Sequence, residues 1–174
     1  MILILIGVSG IGKTTIGKLL AAQTGWHFED ADDYHSAENK KKMAAGIPLN
    51  DDDRWPWLST LHNRMSVYLQ EGCGAIFACS ALKERYRERL VEGFDDDAFR
   101  FVDLQAPVDV VRQRLRAREH EYMNPQLLDS QVAAFEKPSQ AWSVSVAGRP
   151  EDAVEEIVDY LKADGLLSAA KESK

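Results

Sequence analysis

Apolar residues along this chain follow two alternating periods. Residues 2–6 form an unbroken Ile/Leu run, the pattern of a strand covered on both faces of a parallel sheet. Glycines crowd residues 7–12, after which Ile16, Leu19 and Leu20 step by three and four and predict a helix face. Residues 26–28 predict a short second strand that ends in the acidic stretch 29–33. A polar helical stretch over 36–45 follows, closed by Gly46 and Pro48. Leu58, Leu61, Met65 and Leu69 then predict a longer helix, with Pro56 suited to its first turn. The third strand falls on 74–79, with a charged helix on 83–91, and the fourth strand on 99–104, stopped before Pro107. Val108, Val111 and Leu115 mark another helix, 125–135 a further one, and 142–146 a fifth strand. Pro150 opens a last helix whose face is Val154, Ile157, Val158 and Leu161, and residues 168–174 form a polar tail.

Strands that alternate with helices throughout predict an α/β class with a parallel five-stranded sheet flanked by helices. Two segments exceed the plain alternation, one between strands two and three and one before strand five. Long connections at the carboxyl ends of parallel strands border the usual ligand crevice. They predict a helical substrate-binding flap at about 33–70 and a lid at about 116–138, within one domain spanning 1–167.

Composition narrows the function. At 174 residues the chain suits one domain, and 21 basic against 28 acidic residues leave a net charge of −7. That balance argues against a general nucleic-acid binder or a membrane-surface protein, while a few local cations can still make an anion pocket. Cys73 and Cys79 form no C-x-x-C pair and have no histidine at zinc-ligand spacing, so neither a disulfide scaffold nor a structural metal is expected. The apolar opening run is too short for a signal-peptide core or a membrane span, which points to the cytoplasm.

Residues 7–14, Gly-Val-Ser-Gly-Ile-Gly-Lys-Thr, satisfy G-x-x-x-x-G-K-[ST] between a predicted strand and a predicted helix. Glycines let the backbone turn tightly and aim its N–H groups inward, where they and the helix N-terminus cradle phosphate oxygens. The expected nucleotide contacts are therefore Gly7, Val8, Ser9, Gly10, Ile11, Gly12, Lys13, Thr14 and Thr15. Lys13 reaches the β- and γ-phosphates, and the Thr14 hydroxyl ligates Mg²⁺. On the order of one random chain in a hundred or two of this length would match the pattern; its position between strand and helix makes the P-loop NTPase fold and ATP the expected readings. No D-x-x-G or N-K-x-D occurs, which leaves a small phosphotransferase rather than a GTPase switch. The second strand ends in Asp30-Ala31-Asp32, whose spacing puts both carboxylates on one side of an extended segment. That suits Asp30 beside the magnesium and Asp32 as the base for an acceptor hydroxyl, although a solvated acidic turn has the same pattern.

Further blocks sharpen the comparison: Asp30-Ala-Asp-Asp-Tyr-His35, Asn39-Lys-Lys-Lys-Met43, residues 46–54 with Trp57-Leu58, Cys79-Ser-Ala-Leu-Lys83 with Tyr86-Arg87, and residues 127–131 with Pro138. Over nearly its whole length the chain resembles the small P-loop gluconokinases, which phosphorylate D-gluconate at the 6-hydroxyl with ATP. The resemblance implies a shikimate-kinase-like fold, Mg-ATP and a homodimer. A sugar acid offers a carboxylate and a row of hydroxyls, so fixed cations and hydrogen-bonding side chains are needed to hold it. Arg54 in the flap, and Lys83 and Arg87 after strand three, suit that task, with His35 near a sugar hydroxyl. Lys83 and Arg87, four apart, equally fit one solvated helix face, Arg54 fits a pair with Asp51 or Asp52, and His35 fits a surface helix. Trp55 and Trp57 read as packing of the flap, and Cys79 as a buried small residue.

Arg114 and Arg118 share a helix face, and by the same resemblance Arg114 stacks on the adenine while Arg118 meets the phosphates. Relatives usually read Gly-His-Phe just beyond, where this chain has His120-Glu121-Tyr122. Two other readings stay open: a kinase of the same fold with another hydroxyl acceptor, such as shikimate, and a nucleotide-binding regulator without transfer.

Overall fold

The computed structural model describes residues 1–117 and 125–167. Five parallel strands run β1 (Ile2–Ile6), β2 (His27–Asp30), β3 (Ala75–Ala78), β4 (Phe99–Gln105) and β5 (Trp142–Ser145), side by side in the order β2-β3-β1-β4-β5. Every residue of β1 is fully buried, because the strand is central and both of its faces are covered. Leu3 and Leu5 belong to one core with Ile16, Leu20, Ile157 and Leu161; Ile2, Ile4 and Ile6 belong to the other with Leu58, Leu61, Met65 and Leu90. This two-sided burial is why the strand reads as a continuous apolar run. Truncating Leu58 or Leu61 to alanine would cost about 2–5 kcal/mol, as for other buried leucines.

Helices α1 (Lys13–Thr24) and α7 (Pro150–Ala163) pack on the Leu3/Leu5 face. The opposite face takes α3 (Asp51–Gln70) and α4 (Glu84–Val91). Between β2 and α3 lie a 3₁₀ turn, Ala31–Tyr34, and the short α2 (Ala37–Ala44), whose N-cap Ser36 accepts a hydrogen bond from Asn39 N–H at 3.1 Å. Helices α5 (Val108–Ala117) and α6 (Pro125–Ala134) separate β4 from β5.

One boundary expectation is corrected. Pro56 does not open α3; it is the sixth helical residue. The start is fixed earlier by a capping box, in which Asn50 Oδ1 accepts from Asp53 N–H at 2.9 Å and the Asp53 carboxylate accepts from Asn50 N–H at 3.1 Å. The proline then forgoes a bond to the carbonyl four residues back, a cost the cap and the buried Trp57 and Leu58 offset. No helix among the described residues is long and apolar enough to cross a membrane.

Because β3 and β4 lie on opposite sides of β1, chain direction across the sheet reverses there. Doubly wound sheets bind their ligands at such a switch point, outside the carboxyl ends of the strands.

Candidate active site

The loop leaving β1 turns on Gly10 and Gly12, at φ of 79° and 117°. At Gly10 a side chain is also sterically barred, since a Cβ would meet Leu115 of α5 at 2.6 Å. Gly12 caps α1 without any side-chain hydrogen bond. The N–H groups of the first turn of α1 thus keep their capacity for an anion. Ile11 is buried and its N–H donates to the Val8 carbonyl at 3.3 Å, while Thr15 is exposed in the first turn of α1. Lys13 Nζ donates to the carbonyls of Gly7 and Val8 at 3.0 and 3.1 Å, which holds its charge over the loop.

The P-loop and the acidic turn meet directly. Thr14 Oγ1 donates to Asp30 Oδ2 at 2.8 Å, and Asp30 Oδ1 accepts from Asp32 N–H at 3.1 Å, capping the 3₁₀ turn. A hydroxyl and a carboxylate so placed suit a hard divalent cation that completes its shell with water and phosphate oxygens. No cluster of three or more His, Cys, Asp or Glu that could hold a metal exists among the described residues.

Asp32 carries its carboxylate on the exposed side of the turn, with a side chain 80% exposed. His35 behind it is buried, stacked on Trp57 with ring centroids 4.3 Å apart, and its Nε2 edge lies 3.8 Å from Asp32 Oδ1. Burial, then the charges of Lys40 and Arg54, push the His35 pKa down to about 4, so the imidazole is neutral at physiological pH. The surface-helix reading of His35 does not hold. Trp57 also donates its indole N–H to the Ala31 carbonyl at 2.7 Å, so the flap helix fixes the turn that bears Asp32.

A pH effect follows with a definite sign. The unfolded histidine takes up a proton near its ordinary value of 6.5, which the folded one refuses until about 4. His35 therefore contributes stability above 6.5 that is lost as the pH falls through that window. His35→Phe, which keeps the stack but cannot titrate, is expected to flatten the fall in melting temperature between pH 7 and 4.5. An unaltered slope would remove His35 as its cause.

Glu29, which the sequence reading passed over, anchors the same turn from the strand. It accepts from Tyr34 Oη at 2.7 Å, from Arg64 Nε and Nη2 at 3.0 and 2.9 Å, and from Tyr68 Oη at 2.5 Å. Burial alone would raise its pKa, yet the hydrogen bonds from Tyr68, Tyr34 and Arg64 outweigh it and leave the carboxyl below its usual range.

Arg54 and Lys83 come together around Tyr86. Arg54 Nη1 donates to Tyr86 Oη at 3.0 Å, and the Lys83 ammonium stands 6.0 Å from the ring centroid. The Tyr86 hydroxyl donates in turn to Asp51 Oδ1 at 2.6 Å, and Arg85 pairs with Asp51 Oδ2 at 2.5 Å. That hydrogen bond, with Arg85, Lys83 and Arg54 near, holds the Asp51 carboxyl below its usual range. Arg54 lies 4.0 Å from Asp51, so the pairing foreseen for it exists, but at the margin of contact.

Arg87 is not on that surface. It is 1% exposed, with its terminal nitrogens directed to the Ala81 carbonyl, the Glu84 carboxylate and the Glu136 carbonyl. A solvated face shared with Lys83 is thereby excluded. Cys79 is likewise buried, and burial pushes its thiol up to about 12, which leaves it inert.

Toward the lid, Arg114 donates to the carbonyls of Ile11 and Val146 at 3.1 and 2.6 Å, joining the P-loop to the segment after β5. Arg118, and His120-Glu121-Tyr122, lie outside the described residues. A contact absent from the expected site is Gln131 on α6: its Oε1 accepts from Ser9 N–H at 2.7 Å and its Nε2 donates to Ser9 Oγ at 3.1 Å. The only sequence signal for it was its place in the 127–131 block.

Comparison with known proteins agrees with this geometry. A family model described as an AAA domain matches residues 2–138. A probable gluconokinase of Dictyostelium discoideum is 43% identical over 173 residues, covering 93% of this chain and 86% of that protein. The crystal structure of a gluconokinase from Sinorhizobium meliloti superposes with a TM-score of 0.82 at 35% identity, over 92% of this chain and 91% of that one. Shikimate kinase from Aquifex aeolicus shares the fold, at a TM-score of 0.57 and 19% identity over 95% of this chain and 99% of that one.

Proposed function

The chain belongs to the gluconokinase family of P-loop kinases, and from that premise we propose that it transfers the γ-phosphoryl group of ATP to the 6-hydroxyl of D-gluconate, giving 6-phospho-D-gluconate and ADP. The observation that carries the reading is the Thr14–Asp30 hydrogen bond, which joins the phosphate cradle to the acidic turn. Lys83 and Arg54, gathered on Tyr86, supply the cations for a sugar-acid carboxylate.

The P-loop N–H groups and Lys13 hold the triphosphate, with Arg114 and Arg118 assigned to the adenine and phosphate ends. Thr14 and Asp30 would hold Mg²⁺, which would neutralise charge on the triphosphate. Asp32 orients the 6-hydroxyl and takes its proton as the oxygen bonds to phosphorus. The bond from phosphorus to the bridging oxygen breaks, and ADP carries away that electron pair. His35, neutral, offers a hydrogen bond beside Asp32 rather than a charge.

Addition of gluconate to protein and Mg-ATP should release ADP, while shikimate and neutral sugars should not. Equal turnover with shikimate would favour the other acceptor, and nucleotide binding without ADP release would favour a regulator. Identity of 43% to a gluconokinase against 19% to a shikimate kinase supports the first outcome. Thr14→Val should raise the magnesium concentration needed for half-maximal rate while the protein still melts as the wild type does. Lys83→Ala should raise the gluconate KM about ten- to a hundredfold, the loss expected for one charge-assisted hydrogen bond, with the ATP KM little changed. Equal losses toward both substrates would assign Lys83 a structural role. A cytoplasmic homodimer completes the proposal, testable as twice the chain mass in sedimentation.

A further inference from the structure

The turn between β3 and α4 is strained and clamped from two sides. Ala81 has a φ of 37°, the only non-glycine positive value among the described residues, and it is buried. Such a conformation persists only where the surroundings enforce it. Here the enforcing group is Arg87, whose Nη1 donates to the Ala81 carbonyl at 2.9 Å. Its Nη2 donates to the Glu84 carboxylate at 2.5 Å and to the Glu136 carbonyl at 2.8 Å.

Glu136, just beyond α6, grips the same turn twice and Arg87 once. Its N–H donates to the Leu82 carbonyl at 2.8 Å, its carbonyl accepts from Arg87, and its carboxylate accepts from Glu84 N–H at 2.7 Å. The last bond replaces a local cap: Lys83 is the N-cap residue of α4 and makes no side-chain capping bond. On its other flank the turn touches the P-loop, where Gly7 N–H donates to the Ser80 carbonyl at 3.3 Å. Lys83 thus projects from a segment whose backbone is fixed at Ala81, Leu82 and Glu84 by two residues that lie outside it.

We propose that Arg87 and Glu136 are positioning residues that hold the 80–84 turn in its strained form and thereby place Lys83 against the acceptor's carboxylate. Arg87 acts through Lys83 and does not touch the substrate. The two terminal nitrogens bond three protein oxygens, and the remaining Nε–H, though without a partner, is buried in a side chain 1% exposed, out of reach of a sugar acid. The inference rests on gluconate being the acceptor.

The test is a rescue. Glu136→Ala and Arg87→Lys are assayed with gluconate and ATP, each alone and each combined with Ala81→Gly. Both single variants are expected to raise the gluconate KM about tenfold, with the ATP KM changed less than about twofold. Glycine occupies positive φ without support, so Ala81→Gly should recover a large part of the loss in each background. A residue that touches the substrate would not be rescued by relaxing a turn. Loss in Arg87→Lys that Ala81→Gly leaves untouched would therefore overturn the proposal, as would Glu136→Ala with wild-type constants. Should Arg87→Lys fail to fold, the Glu136→Ala pair decides alone, because Glu136 is exposed and its removal leaves the core intact. Wild-type turnover on gluconate with unaltered variants overturns this inference only; absence of wild-type turnover overturns the functional reading and this inference with it.

Discussion

Lys13→Ala is expected to lower turnover by at least about 10²–10³-fold while the protein keeps its fold, measured as ADP release beside a thermal melt. Within residues 7–15 the lysine is the one cationic side chain. Its ammonium already sits over the loop, bonded to the carbonyls of Gly7 and Val8, so little reorganisation separates the resting geometry from a contact with a β- or γ-phosphate oxygen. Charge placed in advance where negative charge gathers in the transition state is worth more than the same charge in water, since the protein has already oriented it. The fall should therefore appear mainly in kcat, with a smaller rise in the ATP KM, because the backbone N–H groups still bind the nucleotide. The two lost carbonyl contacts are half-buried, and their removal should cost about 1 kcal/mol each or less, too little to unfold the domain. Turnover within about tenfold of wild type would mean that the cradle has been misassigned.

What the sequence made legible depends on how far apart the interacting residues lie. β1 was readable because a strand buried on both faces must be apolar throughout, and the phosphate loop because its glycines, lysine and threonine are consecutive. The acidic turn was readable only in part: Asp30 ends β2, but Asp32 sits in the 3₁₀ turn that follows and not on the extended segment its spacing suggested. Arg87 was not, because a charged residue four places from Lys83 on a short helix has the pattern of a solvated face. Its burial depends on Glu136, 49 residues away, which no local period reveals. Gln131 reaches Ser9 across 122 residues, and Glu29, which looks like part of a solvated acidic run, is enclosed by Arg64 and Tyr68 only because α3 lies over β2. The misplaced start of α3 has a nearer cause: Pro56 is a helix-opening signal, but the Asn50–Asp53 capping box is stronger. Arg114 marks an intermediate case. The resemblance assigned it to the adenine, while its bonds to the Ile11 and Val146 carbonyls, which hold it against the phosphate loop, were not expected.

Asp32→Asn is expected to reduce kcat by about 10²–10⁴-fold, the usual contribution of a positioned acid–base group, with ATP binding preserved. Two arguments set where in that range it falls. Phosphoryl transfer passes through a loose transition state in which the attacking hydroxyl has given up little of its proton, which shifts the expectation toward the lower end. Against that, the structure spends several contacts on fixing the turn that bears this carboxylate. Asp30 caps its backbone, Trp57 ties the Ala31 carbonyl beside it, and the neutral His35 stands at its edge. Orientation of the hydroxyl is thus a role that asparagine, with the same shape, partly keeps; acceptance of the proton is a role it loses. The two are separable by pH. A carboxylate must be ionised to accept a proton, so the wild-type kcat should fall on the acid side, and that limb should vanish in Asp32→Asn even where its residual rate is measurable. Asp30→Asn should behave differently, raising the magnesium requirement while the acid limb persists, because its carboxylate accepts from Thr14, the residue assigned with it to the magnesium. An Asp32→Asn protein with unchanged turnover, or with the acid limb intact, would take Asp32 out of the reaction and leave the turn as a scaffold for Asp30 alone.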